Sequence, residues 1–155
     1  MVPMPPPEPV KVFISYSHKD EEFREQLQEY LHDAKRQGMI ENWYDREIVP
    51  GREYEKDIDQ NLRNADIILL LVSPTFMASD YAYAKEVSVA MDRHERGEVC
   101  VIPIIVRGAR WERAPFGRLQ ALPRDAKPIT HWSNRDEAWM DVVKGIRRAV
   151  KQLRS

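Results

Sequence analysis

One carboxylate stands out among the side chains of this sequence that could carry chemistry. Residues 73–86 read SPTFMASDYAYAKE and end in Glu86, which lies in the first turns of a helix predicted to begin after Ser79. Acidic residues are common near helix starts, because the positive end of the helix dipole favours them. A catalytic carboxylate would occupy the same kind of position, so location in the helix does not separate the two interpretations.

A second set of polar side chains follows the first predicted strand. Tyr16, Ser17 and His18 come directly after the apolar run that starts at Val10. They could contact a substrate beyond the end of that strand. Alternatively, this is an ordinary strand end at which Ser17 or Asp20 caps the next helix.

The common signatures of nucleotide, metal and hydrolase sites are missing from the sequence. No GxxxxGK[ST] occurs, and the six glycines are too scattered for GxGxxG. The four histidines show no HExxH or other metal spacing, and no thiolate cluster supports them. Ser73 and Ser79 lack the GxSxG elbow of serine hydrolases. We therefore expect no metal and no cofactor, and very few catalytic candidates remain.

Length and charge restrict the class of protein. A chain of 155 residues can bury the core of one domain, and 24 basic against 25 acidic residues give no field that favours nucleic acid or an anionic membrane. The lone Cys100, inside the apolar run VCVIPIIV, fits a reducing compartment. No stretch approaches the roughly 20 apolar residues that span a bilayer, and no signal peptide is visible. We expect a cytoplasmic protein.

Strands and helices alternate along the chain. Short β-branched or fully apolar runs predict strands, and apolar residues at helical spacing predict the helices between them. The predicted strands cover 10–16, 40–44, 66–72, 99–106 and 127–130, the last being weak; the predicted helices are centred on Leu27, Ile58, Ala90 and Val143. In the helix after Ser79 the apolar stripe leaves Glu86 on the flank, so we expect its side chain to be partly exposed.

This alternation predicts an α/β fold. Five strands fit a flavodoxin-like three-layer sandwich, in which a five-stranded parallel sheet of order 2-1-3-4-5 carries helices on both faces. Ligands bind such sheets beyond the carboxyl ends of the strands, at the switch point between strands one and three. Tyr16–His18 and the segment that ends in Glu86 both follow these strands.

The domain is expected to cover residues 10–153. Residues 1–9, MVPMPPPEP, contain five prolines and are predicted to be an extended leader or linker. The last helical pattern runs to the end of the sequence without a clear cap, which suggests one module of a longer protein, with a natural terminus as the alternative.

Three separated motifs in order, KVFISYSHKD, WYDREIVPG and SPTFMASDYAYAKE, resemble the Toll/interleukin-1 receptor (TIR) domain family. The resemblance covers essentially the whole predicted domain and is greatest to bacterial members. It implies a flavodoxin-like fold and one of two functions. Some members of the family cleave the bond between nicotinamide and ribose in NAD+, by hydrolysis or cyclisation, and others are non-catalytic adaptors that act through TIR–TIR contacts.

The resemblance also implies roles for individual residues. Glu86 matches the position of the family's catalytic glutamate, although Tyr81 and Ala82 stand where many members have Trp-Cys. Tyr16, Ser17 and His18 fall where substrate contacts lie, and Trp111 falls where an aromatic side chain stacks on a base; Trp111 could equally be a lid on the core. Tyr81 could line the pocket.

The motif around WYDREIVPG matches the loop through which TIR domains associate, here from Asp45 to Glu53. Asp45 and Arg46 are its candidate substrate-binding residues. Arg46 and Arg52 could meet the NAD+ diphosphate or could simply be solvated, and Pro50 and Gly51 are also explained as a simple turn. The resemblance implies NAD+ as substrate, activity that depends on self-association, a sensor module or partner, and a role in bacterial immune signalling.

Overall fold

The computed structural model describes residues 8–44, 60–79 and 85–154. A four-stranded parallel sheet of order β2-β1-β3-β4 forms the centre of the domain. Its strands are β1 (Val10–Ser15), β2 (Ile40–Tyr44), β3 (Ile67–Val72) and β4 (Cys100–Ile105). The α/β class and the first four positions of the predicted strand order are confirmed.

Helices cover both faces of the sheet. They are α1 (Glu21–Arg36), α2 (residues 60–64), α3 (Pro74–Ala78), α4 (Val87–Glu95) and α5 (Arg135–Arg154). Helices α1 and α5 pack on one face and contribute Leu27, Leu31, Trp139 and Ile146 to its core. The other face is covered by α2, α3 and α4, through Leu62, Phe76, Val87 and Ala90. The fold is therefore the predicted three-layer sandwich. None of the helices in the described ranges has the length and apolar composition needed to cross a lipid bilayer.

Burial on both faces of the sheet explains why β3 is apolar at every position. All six residues of β3 have no exposed surface. Ile67, Leu69 and Leu71 face the α1–α5 layer, whereas Ile68, Leu70 and Val72 face the α3–α4 layer. Because successive side chains of a strand point to opposite faces, a strand enclosed on both sides has no position left for a polar residue.

The end of α1 and the buried face of α5 both follow from the sequence, except at one residue of α5. Helix α1 ends before Gly38, whose φ of 73° lies in the left-handed region that glycine adopts without strain. Helix α5 buries Trp139, Val142, Val143 and Ile146 as expected. The same apolar spacing in residues 136–153 predicts that Leu153 also points inward, and this prediction is wrong, because Leu153 is 49% exposed.

The predicted fifth strand at 127–130 is also wrong. Ile129–His131 forms a 3-10 turn instead, following Pro128, which has no N–H to donate to a strand ladder. The position beside β4 is taken by a single bridge between Ile104 and Leu122. There the Leu122 amide donates to the Pro103 carbonyl at 2.9 Å, and the Ile105 amide donates to the Leu122 carbonyl at 2.8 Å.

The parallel arrangement brings three chain segments to one edge of the sheet. β1 is followed by a 3-10 turn at His18–Asp20, β3 by α3, and β4 by the loop that starts at Val106. In the register of the sheet Ser15 lies opposite Leu70, and Val72 lies opposite Ile105. This carboxyl edge is where a doubly wound sheet binds its ligands.

A hydrogen bond between α1 and α5 makes the free energy of unfolding depend on pH in the alkaline range. The Tyr30 hydroxyl donates to Oδ1 of Asp136, and this bond, with burial and nearby carboxylates, raises the pKa of Tyr30 to about 12. The raised pKa means that the bond contributes fully below the unfolded tyrosine pKa of about 10 and is lost as pH rises through 12. Wild type should exceed Tyr30→Phe in free energy of unfolding by up to about 1 kcal/mol at neutral pH.

Urea denaturation of both proteins across pH 7 to 12 measures that difference. It should shrink as pH rises between about 10 and 12. A difference that stays constant over this range would show that the Tyr30 hydroxyl does not bind Asp136 in solution.

Candidate functional site

Glu86 is buried at the start of α4. Lys85 and Glu86 form a π-helical turn that continues into the helix, and the Glu86 side chain has no exposed surface. The expectation of a partly exposed residue on the helix flank was wrong. A π turn changes the angle between successive side chains, so a stripe calculated for a regular helix that begins after Ser79 misplaces residue 86.

The Glu86 carboxylate contacts the end of the first strand. Oε2 accepts a hydrogen bond from the hydroxyl of Ser15, the last residue of β1, which is also fully buried. Glu86 makes no capping hydrogen bond to the amino-terminal amides of α4. The carboxylate therefore lies at the carboxyl end of β1, the neighbour of β3 in the sheet.

A second buried carboxylate lies at the same edge of the sheet. Asp20 precedes α1, as predicted for a cap, but its side chain makes no capping hydrogen bond. Instead, Oδ2 accepts a hydrogen bond from the Ser73 hydroxyl, and Oδ1 lies 3.2 Å from Nε of Arg107. The side chain of Asp20 is 1% exposed, and such a buried charge requires partners of this kind.

Ser73 and Arg107 connect this carboxylate to the loops after β3 and β4. The Ser73 hydroxyl oxygen accepts from the Phe76 amide at 3.0 Å and so caps α3, the helix that begins at Pro74. Nη2 of Arg107 donates to Oγ1 of Thr75 at 2.6 Å. A hydrogen-bonded network, Asp20–Ser73–Thr75–Arg107, thus ties the ends of three strands together.

The other predicted site residues divide into three groups. Tyr16 is buried and donates from its hydroxyl to Oε2 of Glu21 at 2.6 Å, and Ser17 is 8% exposed, whereas His18 is exposed on the 3-10 turn. Trp111 is partly buried against the α3–α4 core. Asp45, Arg46 and Tyr81, with the whole loop 45–53, lie outside the described residues. Substrate contact by any of these residues stays a prediction.

Sequence reasoning missed Ser15 and Arg107 as site residues, and it treated Asp20 only as a cap. A signal was present, because Ser15 ends an otherwise apolar strand and Arg107 directly follows the apolar run VIPIIV. A polar residue at the carboxyl end of a buried parallel strand is placed where ligands bind. What the sequence could not supply was the pairing of Arg107 with Asp20, which are 87 residues apart.

Metal chemistry has no visible basis within the described ranges. No group of three or more His, Cys, Asp or Glu side chains there could hold a metal ion. Burial raises the pKa of the Cys100 thiol, and Cys100 starts β4, at the opposite edge of the sheet from Glu86. A raised pKa disfavours the thiolate, the reactive form of cysteine.

Two sequence comparisons relate this chain to known proteins. A family model described as "TIR domain" matches residues 12–148. The chain is 54% identical over 142 residues to the uncharacterized protein y4lF of Sinorhizobium fredii, covering 92% of this chain and 44% of that protein. It is 30% identical over 102 residues to the 2' cyclic ADP-D-ribose synthase BtTIR of Bacteroides thetaiotaomicron, covering 63% of this chain and 34% of that protein. The chain thus spans less than half the length of these two relatives.

Solved structures share the fold at low sequence identity. The TIR domain of the Toll-related receptor TRR-2 from Hydra magnipapillata superposes with a TM-score of 0.62 at 19% identity, covering 88% of this chain and 97% of that one. The TIR domains of the activated Roq1 resistosome superpose with a TM-score of 0.65 at 16% identity, covering 88% and 99%.

The role of Ser73 in holding the site edge can be tested by truncation. Ser73→Ala removes the cap of α3, worth about 0.5–2 kcal/mol. It also removes one donor from the buried Asp20 carboxylate, which costs a further 1–3 kcal/mol or so. The free energy of unfolding, measured by urea denaturation, should fall by about 1.5–5 kcal/mol.

Ser88→Ala is the matched control, since Ser88 is exposed on α4. This substitution should change stability by no more than about 0.5 kcal/mol. Equal small effects of both substitutions would contradict the network.

Proposed function

This chain belongs to the TIR domain family, and we propose that it cleaves NAD+ at the bond between nicotinamide and ribose, with Glu86 as the catalytic carboxylate. The observation that carries the proposal is the placement of Glu86. Its side chain is fully buried and receives a hydrogen bond from Ser15 at the carboxyl end of β1. Burying a carboxylate is costly, so one at a ligand-binding edge is a candidate for function.

The proposed reaction needs one carboxylate and no general acid for the leaving group. Nicotinamide departs as a neutral molecule, because the pyridinium nitrogen of NAD+ already carries the positive charge. Positive charge then develops on the ribose, as in the oxocarbenium-like transition state of glycoside hydrolysis. The Glu86 carboxylate would face this developing cation and hold the ribose hydroxyls. Water or a hydroxyl of the same substrate would then attack the anomeric carbon.

Burial strengthens this interaction. The energy between two charges rises as the local dielectric constant falls, so a carboxylate in a site without water stabilises a developing cation more than an exposed one does. The hydrogen bond from Ser15 fixes one carboxylate oxygen, so less reorganisation is needed when the cation forms. Ser15 thus acts as a positioning residue for Glu86.

The same burial supports activity that depends on assembly. A side chain with no exposed surface cannot contact a ribose until the site opens, and contacts with a second copy of the domain could supply the energy for opening. We propose that self-association through the loop 45–53 has this role. An adaptor that functions through TIR–TIR contacts alone is the alternative.

The proposal also includes the identity of the product and the biological setting. The relative BtTIR bears the name of a cyclic ADP-ribose synthase, and its 30% identity to this chain supports either a linear or a cyclic ADP-ribose product here. A role in bacterial immune signalling, with a sensor module or partner that triggers assembly, completes the proposal.

Substitution of Glu86 tests the catalytic role. Glu86→Gln keeps the size of the side chain and an acceptor for Ser15 but removes the negative charge. Nicotinamide release from NAD+, measured by chromatography with the protein concentrated or tethered in an array, should fall by about 100-fold or more. Glu86→Ala should have at least the same effect.

Glu95→Gln, at the other end of α4, is the matched control and should retain wild-type release. The assembly state of every variant is measured in parallel by light scattering. Release that is equal in wild type and Glu86→Gln at equal assembly, or no release from assembled wild type, would reject the enzyme and favour the adaptor.

Ser15→Ala tests the positioning of the carboxylate. Loss of a hydrogen bond to a charged group costs about 1.5–3 kcal/mol, so we expect kcat to fall about tenfold or more while KM changes little. Steady-state kinetics of nicotinamide release, with the melting temperature recorded alongside, measures this. A change in melting temperature with unaltered kcat would make Ser15 purely structural.

A further inference from the structure

We propose that Arg107 binds the diphosphate of the dinucleotide substrate. The inference deepens the proposed function and rests on it for the identity of the substrate. The three motifs quoted from the sequence do not include this arginine. It is singled out by the position of its guanidinium group in the fold and by the partners that hold that group.

Arg107 belongs to the loop after β4, but its side chain reaches the switch point. Its guanidinium contacts Asp20, which follows β1, and Thr75, which follows β3. The sheet order places β3 between β1 and β4, so the guanidinium lies over the end of the central strand. It is therefore at the carboxyl edge of the sheet, where ligands bind and where β1 ends in Ser15, the partner of Glu86.

The two contacts fix the plane of the guanidinium through Nε and Nη2. Nε lies 3.2 Å from Oδ1 of Asp20, and Nη2 lies 2.6 Å from Oγ1 of Thr75. Nη1 of Arg107 takes part in neither of these contacts with described residues, and the Arg107 side chain is 37% exposed. Asp20 is 1% exposed and is covered by its partners, so solvent meets the cation and not the carboxylate.

A fixed, half-exposed guanidinium is suited to a phosphate oxygen. Arginine presents its N–H groups in a rigid fork that matches phosphate geometry, and a fork already held by protein partners loses less entropy on binding. A carboxylate ligand would also fit the fork, but the proposed substrate has no carboxylate and has two adjacent phosphates. Diphosphate is therefore the ligand chemistry that we assign.

The distance to Glu86 agrees with this assignment. Ser73, the partner of Asp20, lies three residues beyond Leu70, and Leu70 is opposite Ser15, the partner of Glu86. At about 3.3 Å per extended residue, the two sets of partners are separated by roughly 10 Å along β3. One ribose and the attached diphosphate can span this separation. The ribose would lie at Glu86 and the diphosphate at Arg107.

Binding of inorganic pyrophosphate and of ADP-ribose to the full chain, measured by calorimetric titration, tests the proposal without requiring catalysis. Arg107→Gln should weaken binding of both ligands about tenfold or more, the loss typical of one charge-assisted hydrogen bond. Arg118→Gln is the matched control, because Arg118 is an exposed arginine paired with Glu95. Arg46→Gln tests the competing arginine suggested by the sequence.

Arg107→Gln leaves the buried Asp20 carboxylate without its cation, so the variant could unfold for that reason alone. The double variant Asp20→Asn/Arg107→Gln removes both charges and restores a neutral network. Asp20→Asn alone keeps the arginine. We expect the double variant to fold and to lose pyrophosphate binding, and Asp20→Asn to bind within a few-fold of wild type.

Wild-type binding of pyrophosphate that is lost in the folded double variant, and kept in Arg118→Gln, would support the assignment. Wild-type affinity in the double variant, loss in Arg46→Gln instead, or no pyrophosphate binding by wild type would overturn it. The failure of the proposed function has a different signature, since nicotinamide release equal in wild type and Glu86→Gln rejects the enzyme whatever the titrations show.

Discussion

The complete enclosure of β3 is the constraint on which the rest of this structure depends. Each residue of the strand faces a helical layer, and the strand has a hydrogen-bonded neighbour on either side. No polar side chain can therefore enter the middle of the sheet without losing its hydration. Polar side chains are therefore found at the ends of the strands. At the carboxyl edge, Ser15 at the end of β1 and Ser73 just after β3 donate hydrogen bonds to the two buried carboxylates.

Those carboxylates use the edge in different ways. Both oxygens of Asp20 are engaged by side chains of the protein, and one of these partners is a cation. This is the arrangement that makes a buried charge tolerable and a fold specific. Glu86 is reached from the opposite face of the sheet, through α4, and is approached by the uncharged hydroxyl of Ser15. Asp20 thus links the ends of three strands, and Glu86 is buried against the end of β1.

The fold could be predicted because its determinants are local or repeat along the chain. Apolar runs such as the one at 66–72 could only be enclosed strands, and Gly38 could only end a helix. The location of Glu86 at the switch point followed from strand order. Its burial did not follow, because the π turn at Lys85–Glu86 and the separate short helix at Pro74–Ala78 depend on packing and not on composition. The prediction of a weak strand at 127–130 was wrong for a related reason. A stretch with β propensity forms a strand only if the neighbouring strand edge can pair with it.

The single bridge at Leu122 has a consequence for how this domain meets other copies of itself. A free strand edge is a template for continuous pairing between chains, the route to fibrous aggregates. On the side of β4 away from β3, the Leu122 amide already donates to the Pro103 carbonyl, and proline has no N–H to donate to a further strand. The edge is thereby closed to extended ladder formation. Contacts between copies of the domain on this side of the sheet must then use side chains and loops.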